Sequence, residues 1–323
     1  MADVTITPAG QGGTYAHLQD AIAAQAAAHP DLTAYETINF KISGDWSAVH
    51  DTTAVTITGF TCDATHYVNI ITEGTARNTN AAWDDTKYVL EIAGGHSLYF
   101  TLYPCFFRLD GIQISNITDD GNFCIRENVR TGDLGYIQMK NCWMKRSPDC
   151  ANIINAGGYG PPIWDFVNCI LVENSAGNPA RTACNFNTIN GHTINFYNCT
   201  FANAIIAINQ QAGTVKAVNC GFASCTALHG GTVDHTGNCS EITPTFVSGT
   251  PIASLDFHLN ADDTTWLGQG TSTPGSATAY TDDIEGDTRP AAWSIGADDI
   301  PATGGGGGIM KQATNYYRRL RTS

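Results

Sequence analysis

The chain has 323 residues, a net charge of −14, 42% hydrophobic residues and only 14% charged ones. No run approaches the roughly 18 consecutive apolar residues of a membrane helix, and "MADVTITPAGQGG" has neither a basic nor an apolar leader region, so no membrane contact is expected and folding is placed in the cytosol. The acidic balance argues against nucleic acid as a partner of the body, since like charges repel.

Taken in chain order, residues 1–45 read as a short strand, a Gly-rich turn and an Ala-rich helix from Tyr15 to Ala28 that Pro30 ends. A helix there can plug the first coil of a stack of strands, whose apolar interior and strand edge would otherwise lie open. "ETINFKISGDW" and "YVNIITEG" read as the first strands. Coils are then expected over 46–247.

Within that region one phrase returns four times, as Asn141-Cys142, Asn168-Cys169, Asn198-Cys199 and Asn219-Cys220, with steps of 27, 30 and 21 residues. A repeat of this length is a unit that cannot bury its apolar face alone and must stack on its neighbours. Alternating apolar and polar residues around each pair, rich in β-branched and aromatic types, make the units strands. In a parallel stack equivalent positions lie about 4.8 Å apart, so each Asn can bond the Asn above and below at a bend, while each Cys fills a narrow interior. "FRLDGIQISNIT" reads as an earlier coil with Asp110-Gly111 in place of Asn-Cys. Eleven cysteines, an odd number with four in inward positions, fit reduced core thiols better than disulfides or a metal site. No metal or cofactor is expected.

Residues 248–303, rich in Gly, Thr, Ser, Pro and Asp, read as a cap and loops closing the far end. "LDFHL" (255–259) and "DDIEGDTRPAAWSIGADDI" (282–300) resemble the closing segment of right-handed parallel β-helix proteins of the pectin-lyase-like superfamily, and the strand, turn and helix at the start are similar to that group's capping start. The resemblance implies an all-β fold, a right-handed parallel β-helix solenoid with an N-terminal capping helix and a C-terminal extended tail. It does not imply one activity, because the superfamily spans polysaccharide lyases and hydrolases, phage tailspikes and virion proteins without known chemistry.

Beyond Thr303 the chain reads "GGGGGIMKQATNYYRRLRTS", a flexible Gly hinge followed by a basic segment. The four cations of residues 304–323 leave −18 on residues 1–303. The segment reads as a docking peptide in which Ile309, Met310, Tyr316, Tyr317 and Leu320 are apolar anchors, and Lys311, Arg318, Arg319 and Arg321 pair with carboxylates on a partner.

Glycan cleavage needs paired carboxylates on one face, or an acidic cluster with a basic residue poised to take a proton. The acid pairs Asp84-Asp85, Asp119-Asp120, Asp262-Asp263 and Asp282-Asp283 sit among turn residues, and adjacent strand residues face opposite ways, so they read as turn acids. Arg108, Arg126, Arg130, Lys140, Lys145 and Arg146 form the only basic cluster in mid-chain. His229 and His235 read as turn residues and His258 as structural. Trp143, Trp164, Phe166, Tyr197 and Phe201 either line a sugar groove or stack inward. No catalytic residue is assigned. The expected function is a non-enzymatic component of a bacteriophage virion, a capsid decoration or a head- or tail-attached β-helix, held to capsid or tail proteins by its basic tail. A glycan-degrading lyase or hydrolase is the alternative, with a surface glycan as partner, and a surface adhesin is disfavoured. Trimer and lattice-bound monomer both remain open as assembly states.

Overall fold

A computed structural model of the chain describes residues 2–101, 106–117, 123–127, 135–146, 152–156, 163–173, 182–186, 192–249, 251–272 and 280–300. Among these, all 22 strands lie in three parallel sheets. Sheet A has nine, Ala2–Ile6, Ile38–Ile42, Val68–Thr72, Phe106–Asp110, Tyr136–Lys140, Ile163–Val167, Thr193–Tyr197, Thr214–Val218 and Val233–Gly237. Sheet B has six, from Val89–Ile92 through Trp143–Arg146 to Gly221–Ala223, and sheet C seven, from Val55–Ile57 to Ala227–Gly230. Each full coil visits A, B and C in turn and pairs in register with the coils on either side. This is the parallel β-helix that the sequence repeat and the resemblance imply.

Every strand sends alternate residues into one lumen, and the rows so formed are apolar. The row Ile70, Leu109, Met139, Phe166, Phe196 and Ala217 is fully shielded from solvent. Phe166 and Phe196 stack at 4.8 Å, and Phe201 and Phe222 at 5.1 Å, each pair adding about 0.5–1.5 kcal/mol beyond the area it buries. Trp164 also points inward, against Phe100.

The Asn-Cys pairs form the corner between sheets A and B. Asn141, Asn168, Asn198 and Asn219 all have left-handed backbone, with φ of 53, 50, 49 and 53°. Asn tolerates that region far better than a bulky residue, which is a second reason for its presence besides the amide ladder. The cysteine that follows turns into the core and donates its S–H to the carbonyl two residues back, as Cys142 to Lys140 and Cys199 to Tyr197. Nine cysteines among the described residues are free thiols. The earlier coil is offset by one residue from the sequence alignment: Lys140 pairs with Asp110, so Gly111, with φ 77°, takes the Asn position. The Asp110 carboxylate lies beneath and accepts from Asn141 at 3.2 Å. A fifth copy, Asn238-Cys239, also has left-handed Asn backbone, at 56°.

Two boundaries differ from expectation. Ala2–Ile6 and Ile38–Ile42 already belong to sheet A, so the solenoid begins before residue 46. The helix, Leu18–Ala28, lies beside these first strands with Leu18, Ala21 and Ile22 buried. Its first turn is capped from a distance by buried Asp51, which accepts from the Leu18 N–H at 3.0 Å and binds His17 and the Tyr88 hydroxyl.

The C-terminal segment does not simply close the far end. Residues 251–272 and 280–300 lie as a strap along the outer face of sheet B, from Gly221 at one end to 81–83 at the other. Phe257 donates its N–H to Ala81, Trp83 donates to Leu255, and Trp266 packs on Gly221, where a β-carbon would stand 2.1 Å from the indole. Trp143, Ile170, Val172, Ala202 and Ala223 supply the apolar surface beneath the strap. The physical reason is that these outward positions of sheet B are apolar and need a cover, which the strap supplies.

Candidate functional site

With the outer face of sheet B under the strap, the outward residues of sheet A form one extended row. Parallel register places Asp3, Asn39, Asn69, Arg108, Gln138, Asp165, Asn195, Lys216 and Asp234 in one row. Many of these bond along the row: Asn39 to Asp3 at 2.8 Å, Asn69 to Asn39 at 3.2 Å, and Asn195 to Asp165 at 2.8 Å. Asp165, only 1% exposed, also accepts from the Tyr136 hydroxyl at 2.8 Å, so both its oxygens are engaged. Beside this row runs an apolar one of Phe106, Tyr136 and Ile163, with Tyr67 just ahead of the strand below. Arg108 lies 4.0 Å over the Tyr67 ring and donates to its hydroxyl. Amides, a guanidinium and aromatic faces in parallel rows can hold an extended polar ligand.

Of the six mid-chain cations, the five among the described residues are not a cluster. Arg108 is on sheet A, Arg126 on sheet C beside His96 at 2.7 Å, and Lys140 at the corner paired with Asp282 at 2.8 Å. Lys145 stands on sheet B with its ammonium 4.0 Å over Trp83, and burial lowers its pKa while Asp85 and Glu91 oppose that shift. Arg146 is buried in a salt bridge with Glu173, and Arg130 lies outside the described residues. The dispersal follows from the coil: residues a few positions apart fall on different sheets.

The acid pairs are turn and corner residues where they are described. Asp84 accepts from the Thr86 N–H and hydroxyl, and Asp263 from the N–H groups of Thr245, Thr265 and Trp266. Asp119 and Asp120 lie outside the described residues. Trp164, Phe166 and Phe201 face the core, Trp143 lies under the strap against Phe257, and Tyr197 is covered with Tyr280 and Trp293, so none of the five lines a groove. His229 and His235 are strand residues rather than turn residues, on Ala227–Gly230 and Val233–Gly237.

What the sequence does not disclose is how the strap is locked. Arg289, 5% exposed, donates to Asn168 Oδ1 at 2.9 Å, to the carbonyls of Asp282, Gly296 and Ala297, and to Asp299 at 3.2 Å. Asp299 in turn accepts from the Ser294 N–H and hydroxyl. A second lock centres on His258, whose Nδ1 lies 2.5 Å from Asp256 and whose Nε2 lies 2.7 Å from Glu285. Burial disfavours the imidazolium, but the two carboxylates outweigh it and carry the pKa up to about 11. Burial pushes Asp283 up to about 7 against the opposing charge of Arg289, and pushes Asp298 well above the usual carboxylate range. Only the pairing of Arg and Asp in "GDTRPAAWSIGADD" hints at this network. The docking residues Ile309, Met310, Lys311, Tyr316, Tyr317, Arg318, Arg319, Leu320 and Arg321 lie outside the described residues.

No family model matches the chain, and no curated protein does. Among solved structures it is similar to pectate lyase Pel9A, with 12% identity over 92% of this chain and 96% of that chain and a TM-score of 0.34. So distant a likeness carries nothing about activity, and the β-helix rests on the strand pairing itself.

Proposed function

We propose that the protein is a non-enzymatic structural component of a bacteriophage virion, a stiff acidic β-helix attached to a capsid or tail surface through its basic residues 304–323. The observation that carries this reading is the commitment of its charged side chains to architecture. Lys140 ties the strap through Asp282, Arg146 and Glu173 close a buried pair, Arg289 and Asp299 lock the strap, and Asp165 is spent on Tyr136 and Asn195. The contrast between a body at −18 and a tail at +4 supports attachment by the tail to a carboxylate-bearing partner. Co-expression with the neighbouring virion genes, followed by particle purification, tests it. Incorporation by the full chain and loss on deleting Gly304 to Ser323 is expected; attachment retained after that deletion overturns it.

A glycan-handling reading, as polysaccharide lyase or hydrolase, is favoured by one feature, the aromatic and amide rows on sheet A. Release of reducing ends or unsaturated products from an acidic polysaccharide, abolished by Asp165→Asn, would establish it in place of the structural role.

A further inference from the structure

The last coil brings two histidines together, one of them on a row that earlier coils fill with core residues. In sheet C, His229 stands opposite Ile208, in the row that runs back through Cys184, Ile154 and Ile125. In sheet A, Val233 pairs with Val215 and Asp234 with Lys216, so His235 follows in line with buried Ala217, where the register shifts. The two imidazoles therefore come from strands of different sheets in the last coil. Their ring centroids are 5.0 Å apart, with planes inclined at 41°.

Their hydrogen bonds fix the tautomer. Nδ1 of His229 lies 3.1 Å from the Gly231 carbonyl oxygen, and Nδ1 of His235 lies 3.0 Å from that of Val233. A carbonyl oxygen can only accept, so each Nδ1 carries a proton, and in the neutral ring the lone pair is then on Nε2. This is how metal-binding imidazoles are ordinarily oriented, by a backbone carbonyl on the far nitrogen. With metal–nitrogen bonds of about 2.0–2.1 Å, two imidazoles at adjacent positions on one ion have centroids about 4.5–5.3 Å apart, which brackets the observed spacing. The body's negative charge raises the local concentration of cations.

We propose that His229 and His235 bind one first-row transition-metal ion of the Zn2+, Ni2+ or Cu2+ class through their Nε2 atoms, at the end of the solenoid core. Imidazole suits these ions. No group of three or more His, Cys, Asp or Glu residues is arrayed to hold a metal among the described residues, so water completes the coordination.

The test uses the untagged full chain, stripped with chelator, and titrates it with NiCl2 by calorimetry alongside His229→Gln, His235→Gln and, as a control away from the pair, His66→Gln, whose imidazole lies 3.0 Å from Asp63. One site is expected in the parent and in His66→Gln, weakened at least tenfold in each of the other two. Equal binding in all four proteins, or no binding to the parent, overturns the proposal. Circular dichroism establishes that the variants are folded. Should either fail to fold, the electron paramagnetic resonance spectrum of the parent with one equivalent of CuCl2 decides: hyperfine coupling to two imidazole nitrogens supports the site, and its absence overturns it.

Discussion

Arg289 Nη2 donates to Asn168 Oδ1 at 2.9 Å, across 121 residues of sequence, and so stands at the point where the asparagine ladder is interrupted. Asn168 donates to Asn141 at 3.2 Å and Asn219 to Asn198 at 3.2 Å, but Asn198 turns its amide to the carbonyls of Ser294 and Gly296. The ladder is thus shared between the coils and the strap.

Replacing Arg289 by Ala removes a buried cation whose partner Asp299 is 1% exposed, and breaking such a pair costs about 3–5 kcal/mol. Arg289→Lys is not a rescue, since one ammonium cannot reproduce bonds from Nε, Nη1 and Nη2 together. Denaturant unfolding of both variants measures this, and limited proteolysis is expected to cut first in the strap.

At Asn198 two contributions can be separated. Asn198→Gly keeps the left-handed backbone at φ 49° and loses only the amide bonds, whereas Asn198→Ala adds about 1–2 kcal/mol of backbone strain. Alanine is expected to be the worse substitution, the reverse of the order in an ordinary strand, as unfolding midpoints will show.

The strap should loosen as pH rises. His258 has its folded pKa raised to about 11 from an ordinary 6.5, so its contribution is complete below 6.5 and is lost as pH climbs through 11. Asp283 is raised to about 7 from 3.8; its contribution is complete below 3.8 and gone above 7. Asp283 weakens the strap up to about pH 7 and His258 from about 6.5 upward, both in the same direction. Hydrogen exchange at the Leu259 and Ile284 amides, bonded to Asp298 and Ala297, should show protection falling as pH rises.

Burial pushes the Cys142, Cys184 and Cys199 thiols well up from their ordinary value, which leaves little reactive thiolate. A colorimetric thiol reagent should therefore label these three only after denaturant is added. Rapid labelling of the native protein at those positions, located by mass spectrometry, would contradict the packed ladder.

The features readable in the sequence are local ones. The Asn-Cys dipeptide announces a corner because each corner is built within two residues, and alternation announces strands because period two is intrinsic to them. The fifth copy, Asn238-Cys239, was hidden by its short 19-residue step and its Gly-Asn-Cys-Ser surroundings. The offset at Gly111 was hidden because a glycine meets the backbone requirement of the corner and a neighbouring aspartate meets its hydrogen-bonding requirement. For the candidate site, the Asn-Cys spacing does align Gln138, Asp165, Asn195 and Lys216, each three residues before its Asn, but it does not show that Asp165 is closed off by Tyr136 and Asn195. The strap was unreadable for a different reason: its bonds to the coils run from 52 residues, as Asn219 to Thr271, to 204, as Ala81 to Glu285.

A solenoid is ordinarily a one-dimensional object, each rung held only by its neighbours and free to fray from either end. The strap changes that connectivity. By touching Ala81 near one end of sheet B and Gly221 at the other, it gives distant rungs a common partner, so opening any of them disturbs contacts with the same segment. Loss should therefore be all-or-none across the sheet B rungs, and a ribosome-bound chain shorter than about 300 residues holds the coils without the element that makes them cooperative.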